Sequence, residues 1–129
     1  MSDLFQSGIA AWLQAKPTET PGLYELEFDE RHFGNPFVKS LHGGVTGAMI
    51  ELSAQAEVLR QSETGTSVAL ISNSIDYLRI TKDKNLFARV ETIRISRRLA
   101  VMHVSCWQDS EDIPVTQGIV TLRVNAPTA

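Results

Sequence analysis

The sequence predicts an α+β fold in which an antiparallel sheet of about five to six strands wraps round one long central helix. Three observations lead to this prediction: a mostly apolar segment at residues 44–62, four strand-like segments between residues 67 and 124, and short polar links between those segments. A helix that is apolar nearly all round has to be covered by other structure, and the apolar face of a sheet supplies that cover. We expect a single domain over residues 1–129, because a chain of this length buries one hydrophobic core.

An additional N-terminal helix is predicted for residues 1–16. Its apolar side chains fall at helical spacing on one face: Leu4, Phe5, Ile9, Trp12 and Leu13. Pro17 ends the helix, because proline lacks the N–H that another turn requires. The stripe is expected to pack on the domain or on a partner subunit. A membrane is the weaker alternative, since the polar face carries no lysine or arginine.

The strands are predicted from composition and alternation. Residues 23–28 alternate between two faces, as in a half-buried strand, and residues 29–41 have the composition of a loop. Four later segments are rich in Val, Ile, Leu and Thr: residues 67–80, 85–95, 99–108 and 113–124. Because the links between these four segments are short, the strands are expected to pair in chain order as an antiparallel meander.

Composition excludes several classes of function. The formal charge of −3 argues against nucleic acid or an anionic membrane as a partner. Cys106 is the only cysteine, so disulfides within the chain and Cys-rich zinc sites are excluded. No apolar run approaches the roughly 18 residues of a membrane helix, and the N-terminus lacks the pattern of a secretory signal. A cytoplasmic protein without a metal or cofactor is expected.

The candidate site lies in residues 35–62. A loop with Asn35 and His42 leads into Gly43 and Gly44, and Glu51 stands as an out-of-place carboxylate in the apolar segment that follows. The chain has no G-x-S-x-G, H-E-x-x-H, P-loop or dinucleotide-binding motif. An unusual acid close to a glycine pair therefore marks the place where chemistry is expected.

These residues resemble a known family. His42-Gly43-Gly44 with an acid nine positions after the histidine, the strand motif at residues 74–79 and the Arg97-Arg98-Leu99 turn resemble hotdog-fold acyl-CoA thioesterases. The resemblance covers residues 20–125 and points to the phenylacetate-pathway and 4-hydroxybenzoyl-CoA thioesterases. It implies hydrolysis of an acyl-CoA by a homodimer or a dimer of dimers.

The chain departs from the family pattern at three positions. Pro36 stands six positions before the histidine, where the family usually has asparagine, and Asn35 lies one position further back. The acid is glutamate, where many relatives have aspartate. Ser96 replaces a glycine that is common before the cationic turn. The displaced Asn35 is the feature that favours the alternative function, a non-catalytic hotdog module that binds acyl-CoA.

The resemblance implies a role for the glycine and the acid. The amide of Gly43, at the positive end of the helix dipole, would polarise the thioester carbonyl. Glu51 would act as a general base or as a nucleophile. Nine residues of helix span roughly 13 Å, so the two groups cannot meet in one subunit. In the resembling family they meet across a dimer interface.

Further residues are expected to bind the substrate, of which coenzyme A is a part and not a cofactor. Those near the thioester are Asn35, His42, Gly44, Gln55, Asn73 and Ser74. Arg97 and Arg98 are expected to hold the phosphates of coenzyme A, since guanidinium groups bind phosphate in a bidentate manner. Structural roles compete with several of these: a helix cap for His42, an ion pair for Glu51 and solvation for the arginines.

Overall fold

The computed structural model describes residues 2–6, 8–34 and 40–127 of the chain. Over these ranges the helical elements are a 3-10 helix at Ser2–Phe5, α1 at Gly8–Leu13, a second 3-10 helix at Glu30–His32, and α2 at Gly43–Arg60. The strands are β1 at Ala15–Pro17, β2 at Leu23–Leu26, β3 at Ser67–Tyr77, β4 at Leu86–Ile95, β5 at Leu99–Trp107 and β6 at Thr116–Asn125. All six pair antiparallel in one sheet that packs around α2. The predicted α+β hotdog architecture is confirmed.

The core lies between α2 and the concave face of the sheet. Met49, Ile50 and Val58 of α2 are fully buried, as are Met102 and Val104 of β5. Each such side chain contributes roughly 1.5–3 kcal/mol by leaving water. The helix begins one residue before the predicted 44–62 segment and ends two residues before its end. Its apolar composition all round therefore reflects burial by the sheet on most of its surface.

The predicted four-strand meander is correct for β4, β5 and β6 and wrong for β3. The strand order is β1-β2-β4-β5-β6-β3, so β3 pairs with β6 and lies at the edge of the sheet. Residues 78–85 do not form a hairpin. The N–H groups of Leu78 and Arg79 donate to the Val115 carbonyl, and the Gln108 side chain bonds the Lys82 backbone. Because of these bonds, the segment between β3 and β4 runs past the ends of β6 and β5 before β4 begins.

The predicted N-terminal helix over residues 1–16 is wrong in extent. Gly8, the first residue of α1, has a φ of +65°, and Gln14, directly after α1, has a φ of +58°. A continuous right-handed helix over residues 1–16 cannot pass through these two positions. The chain after Gln14 becomes β1, which pairs with β2. The apolar stripe is divided as a result. Leu13 is fully buried, whereas Ile9 and Trp12 are 58% and 40% exposed.

The side chains of β5 alternate between the two faces of the sheet. His103 is half-buried on the outer face of the sheet, whereas Cys106 is fully buried towards α2. Burial raises the pKa of the Cys106 thiol to about 12. The thiol therefore stays protonated near neutral pH and is separated by the sheet from His103, so these residues do not form a nucleophile and base.

Candidate active site

His42 caps the N-terminus of α2. Its backbone is extended, with φ −59° and ψ 139°, and its Nδ1 accepts a hydrogen bond from the Gly44 N–H at 2.8 Å. A neutral ring that accepts at Nδ1 carries its proton on Nε2. Because the side chain is exposed, Nε2–H is presented to the surface as a donor. The predicted cap is present, and it occupies the Gly44 amide.

The Gly43 amide points out of the helix. The His42 carbonyl accepts from Val45 N–H at 2.8 Å, and in a planar trans peptide the following N–H points the opposite way. The Gly43 carbonyl is fixed by the hydroxyls of Thr46 and Tyr77, both at 3.0 Å. Within the described residues no acceptor reaches the Gly43 N–H. Among the described residues it is thus a donor without a partner, at the positive end of the helix dipole.

Glu51 is half-buried two turns further along α2. Gln55 Nε2 lies 3.5 Å from its Oε1, and no ion pair to Glu51 occurs in the part of the chain that the structure describes. The two side chains line a depression of about 290 Å³ together with Ile9, Ala48 and Leu52. Gln55 thus lies beside the Glu51 carboxylate, as expected, and the other side chains of the depression are apolar.

Glu57 is a second acid on α2, and the sequence analysis overlooked it. It is 4% exposed and accepts hydrogen bonds from Tyr24, Arg60 and Gln61. Burial favours the neutral acid, but the bonds from Arg60 and Tyr24 outweigh it and hold the pKa of Glu57 below its ordinary value. Glu57 and Arg60 are three residues apart in the helix, and this i, i+3 spacing of opposite charges could have predicted their ion pair from the sequence. Glu57 is thus fully engaged in the fold, and Glu51 is not.

The glycine amide and the free acid line different depressions of one subunit. Gly43 lies in a depression of about 130 Å³ that is also lined by Thr46, Tyr77, Arg79 and Ile80, and to which Glu51 does not contribute. The eight-residue step from Gly43 to Glu51 is a rise of about 12 Å along the helix. Gly43 and Glu51 of one chain therefore do not line a common depression.

The structure brings Asn73 to the helix face and leaves Ser74 on the outer face. Asn73 pairs with the buried Val120, and its Oδ1 is buried without a hydrogen-bond partner among the described residues. Ser74 is exposed and pairs with Ile119 on the outer face, away from α2. The cause is a bulge between Leu70 and Ser72, which shifts the alternation by one residue. The predicted residue Asn35 lies outside the described residues.

The arginines lie at the other end of the sheet from Gly43. Arg97 and Arg98 line a depression of about 450 Å³ together with Arg123, which sequence reasoning missed. Arg123 pairs with Ala69 near the start of β3, whereas Gly43 contacts Tyr77 at its end; eight strand residues span roughly 26 Å. In one subunit these cations do not reach the glycine amide.

The described residues form neither a metal site nor a membrane-spanning helix. Over residues 2–6, 8–34 and 40–127, no three His, Cys, Asp or Glu side chains are grouped as metal ligands. No helix among the described residues is both long enough and apolar enough to cross a membrane.

A six-stranded antiparallel sheet around one long helix defines a hotdog-fold protein. The acyl-CoA thioesterase N-terminal domain model matches residues 35–123, which is more than half of the chain, and this protein therefore belongs to the acyl-CoA thioesterase family. The predicted resemblance is confirmed, and the protein is a thioesterase. A search of curated proteins finds no match.

Solved structures share the fold. A thioesterase from Haemophilus influenzae is 21% identical with a TM-score of 0.86, covering 98% of this chain and 89% of that chain. A Bacillus halodurans protein with CoA is 18% identical, with a TM-score of 0.80 and coverages of 96% and 81%. A phenylacetic acid degradation-related protein from Ralstonia eutropha is 21% identical, with a TM-score of 0.80 and coverages of 89% and 88%.

Proposed function

We propose that this protein hydrolyses an acyl-CoA thioester to a free acid and coenzyme A, in a site shared by two copies of the chain. The observation that carries this proposal is a pair of unused groups: the Gly43 N–H has no acceptor and Glu51 has no cation within the described residues. Among the described residues no fold contact uses the Gly43 N–H and no cation pairs with Glu51, whereas thioester hydrolysis needs a donor and an acid of these kinds. Family membership supports the reaction class, and a similar structure is described with CoA.

The donors at the start of α2 would stabilise the transition state. The thioester carbonyl oxygen would accept from the Gly43 N–H, with the exposed Nε2–H of His42 as a second donor. Negative charge develops on this oxygen when the carbonyl carbon becomes tetrahedral. One donor of this type contributes about 2.7–4 kcal/mol to transition-state stabilisation. The Gly43 carbonyl, fixed by Thr46 and Tyr77, helps to keep the helix start rigid before the substrate binds.

Glu51 would supply the attacking group by one of two routes. As a general base, it takes a proton from water, the water oxygen bonds to the carbonyl carbon, and the C–S bond breaks to release the coenzyme A thiolate. As a nucleophile, its carboxylate oxygen attacks the same carbon and expels the thiolate, and water then hydrolyses the mixed anhydride. Gln55, 3.5 Å from the carboxylate, would orient the acid or the water in either route.

A second copy of the chain would complete the site through β3. This strand is 11 residues long, lies at the edge of the sheet and carries Asp76 as its only charge. Leu70 and Ile71 are 42% and 55% exposed along it. A long edge with a single charge favours pairing with another strand. Antiparallel pairing of two β3 strands would reverse α2 between the copies and bring Glu51 of one copy towards Gly43 of the other.

The same arrangement would place cations near the coenzyme A phosphates. Antiparallel pairing sets the Ala69 end of one β3 beside the Tyr77 end of the other, so the arginine depression of one copy moves towards the Gly43 amide of its neighbour. The arginine depression is made of Arg97, Arg98 and Arg123. Lys82 and Lys84 suit this role less well, because both bond Asp109, at 3.1 and 2.7 Å.

A thiol-release assay over a panel of acyl-CoA substrates tests the proposed reaction. We expect the wild-type protein to release coenzyme A and the Glu51→Gln variant to lose about 10²–10⁴-fold in kcat, the usual range for removing an acid–base group. Glu57→Ala is not a suitable control, because Glu57 is structural. Glu19→Gln makes the same chemical change at an exposed carboxylate in the link between β1 and β2, so it is the matched control and should retain activity. Equal rates for wild type and Glu51→Gln would show that Glu51 is not the catalytic acid.

A further inference from the structure

The depression that holds Glu51 has a wall that does not belong to the central helix. Ala48, Leu52, Glu51 and Gln55 all lie on α2, whereas Ile9 faces them from α1. The walls are therefore apolar, with one carboxylate and one amide at their side. A reacting carbonyl carbon beside Glu51 would have its acyl substituent next to the apolar groups.

The wall is firmly anchored. Ala10 and Leu13, on the other face of α1, are 1% and 0% exposed. The carbonyl of Trp12 accepts from Nε2 of the fully buried His32, at 3.3 Å. Ile9 is nevertheless 58% exposed. Because its neighbours fix the helix, Ile9 is held in place while its side chain remains available to a ligand.

We propose that α1 forms the wall of an acyl subsite and that Ile9 limits the size of the acyl group. This inference rests on the proposed thioesterase function. The occupant is the apolar acyl group of the thioester, since a polar group on this surface would lose its hydrogen bonds to water without gaining partners. The depression of about 290 Å³ in one chain is just below the roughly 300–1,000 Å³ range of small-molecule sites. A short alkyl chain or a single ring fits it better than a long fatty chain.

The test is a series of acyl-CoA substrates from acetyl to dodecanoyl, with kcat/KM measured for each. The Ile9→Trp variant fills the depression, and we expect it to lower kcat/KM for the longer members by at least about 10-fold relative to acetyl-CoA, the lower end of the effect of one methylene in an apolar pocket. The Ile9→Ala variant opens the depression and should move the optimum towards longer chains. Ala48→Leu fills the same space from α2 and should act in the same direction as Ile9→Trp.

Ala11→Trp is the matched control, because Ala11 is an exposed residue of α1 that does not line the depression. It should leave the chain-length profile unchanged. Opposite shifts for Ile9→Trp and Ile9→Ala support the acyl subsite. An unchanged profile in Ile9→Trp, Ile9→Ala and Ala48→Leu, with wild-type hydrolysis intact, would overturn the subsite and leave the thioesterase function standing. Absence of hydrolysis by the wild type over the whole series would instead remove the proposed function on which the subsite depends.

Discussion

At the scale of single residues, Gly43 and Gly44 are adjacent but meet different requirements. A Cβ on Gly44 would lie 2.9 Å from Nδ1 of His42, so the histidine cap requires glycine there. A Cβ on Gly43 would be 3.6 Å from the Tyr77 ring, an ordinary contact. Packing within the subunit therefore tolerates a side chain at position 43. The distinguishing property of Gly43 is its N–H, which has no acceptor among residues 2–6, 8–34 and 40–127 and which the proposed mechanism uses.

Gly43→Pro removes this N–H with little other change. Proline is favoured at the first position of a helix, and the extended backbone of His42 suits a residue before proline. We expect kcat to fall about 10²–10³-fold, as for loss of one oxyanion donor, with little change in the urea unfolding midpoint. Gly43→Ala keeps the N–H and should stay close to wild type. Steady-state kinetics of both variants would contradict the assignment if Gly43→Pro retained full kcat.

The two acids of α2 predict opposite phenotypes. Glu57 accepts hydrogen bonds from Tyr24, Arg60 and Gln61. Glu51 accepts one from Gln55 alone among the described residues. Tyr24→Phe removes a buried hydrogen bond to a charged group. We expect it to lower the free energy of unfolding by about 1.5–3 kcal/mol and to leave kcat unchanged. Urea denaturation and thiol release on the same samples measure both quantities.

The pH dependence of stability follows from the lowered pKa of Glu57. A carboxyl group with a lowered pKa in the folded state contributes its full stabilisation above the unfolded-state pKa and loses it as pH falls through the folded-state value. Acidification over that window should therefore destabilise the wild type more steeply than Glu57→Gln. Parallel losses in the two proteins would show that Glu57 is not the titrating group.

At the scale of elements, His32 joins α1 to the start of α2. Its ring accepts from Asp29 N–H at 3.2 Å and donates to the Trp12 carbonyl, and its own carbonyl accepts from His42 N–H at 2.8 Å. Phe33 pairs with Leu41 directly beside these bonds. The ring and the backbone carbonyl of His32 thus connect the wall of the proposed acyl subsite with the residue that caps α2.

Burial lowers the pKa of His32, so acid should loosen α1. A histidine that folds in its neutral form loses stability as pH falls below its unfolded-state pKa, because the unfolded chain binds the proton first. We expect Trp12 fluorescence to change as pH falls below 6.5, the ordinary value, since Trp12 packs edge-on against His32 at 5.3 Å. A Trp107→Phe background isolates the signal. His32→Asn should abolish this transition, and an identical transition in that variant would exclude His32 as its cause.

The elements also show where sequence reasoning succeeds and where it stops. The extent of α2 depends on local periodicity and was predicted to within two residues at each end. The break after α1 depends on a left-handed Gln14, a conformation that a non-glycine residue adopts only when tertiary structure requires it. Asn73 faces α2 and Ser74 faces away from it because a bulge shifts the phase of β3, and the hydrogen bond from Tyr24 to Glu57 joins residues that are distant in the sequence.

At the scale of the whole molecule, the position of β3 was the least predictable feature. Short polar links favoured pairing in chain order, but the link at residues 78–85 is held across the sheet end by Val115 and Gln108. The separation of Gly43 from Glu51 was predictable, since it depends only on helix geometry. The edge position of β3 supplies a surface through which a second copy would complete the site. Sedimentation should therefore show a dimer or a larger assembly.

Mixing two inactive variants tests the shared site most directly. Gly43→Pro subunits keep Glu51, and Glu51→Gln subunits keep the Gly43 amide, so each mixed dimer would contain one complete site and one doubly defective site. After co-refolding at equal concentration, half of a random population is mixed, and we expect about a quarter of wild-type activity to return in a two-fold symmetric dimer. If Gly43 and Glu51 act within one subunit, the mixture will remain as inactive as the separate variants, which would contradict the account.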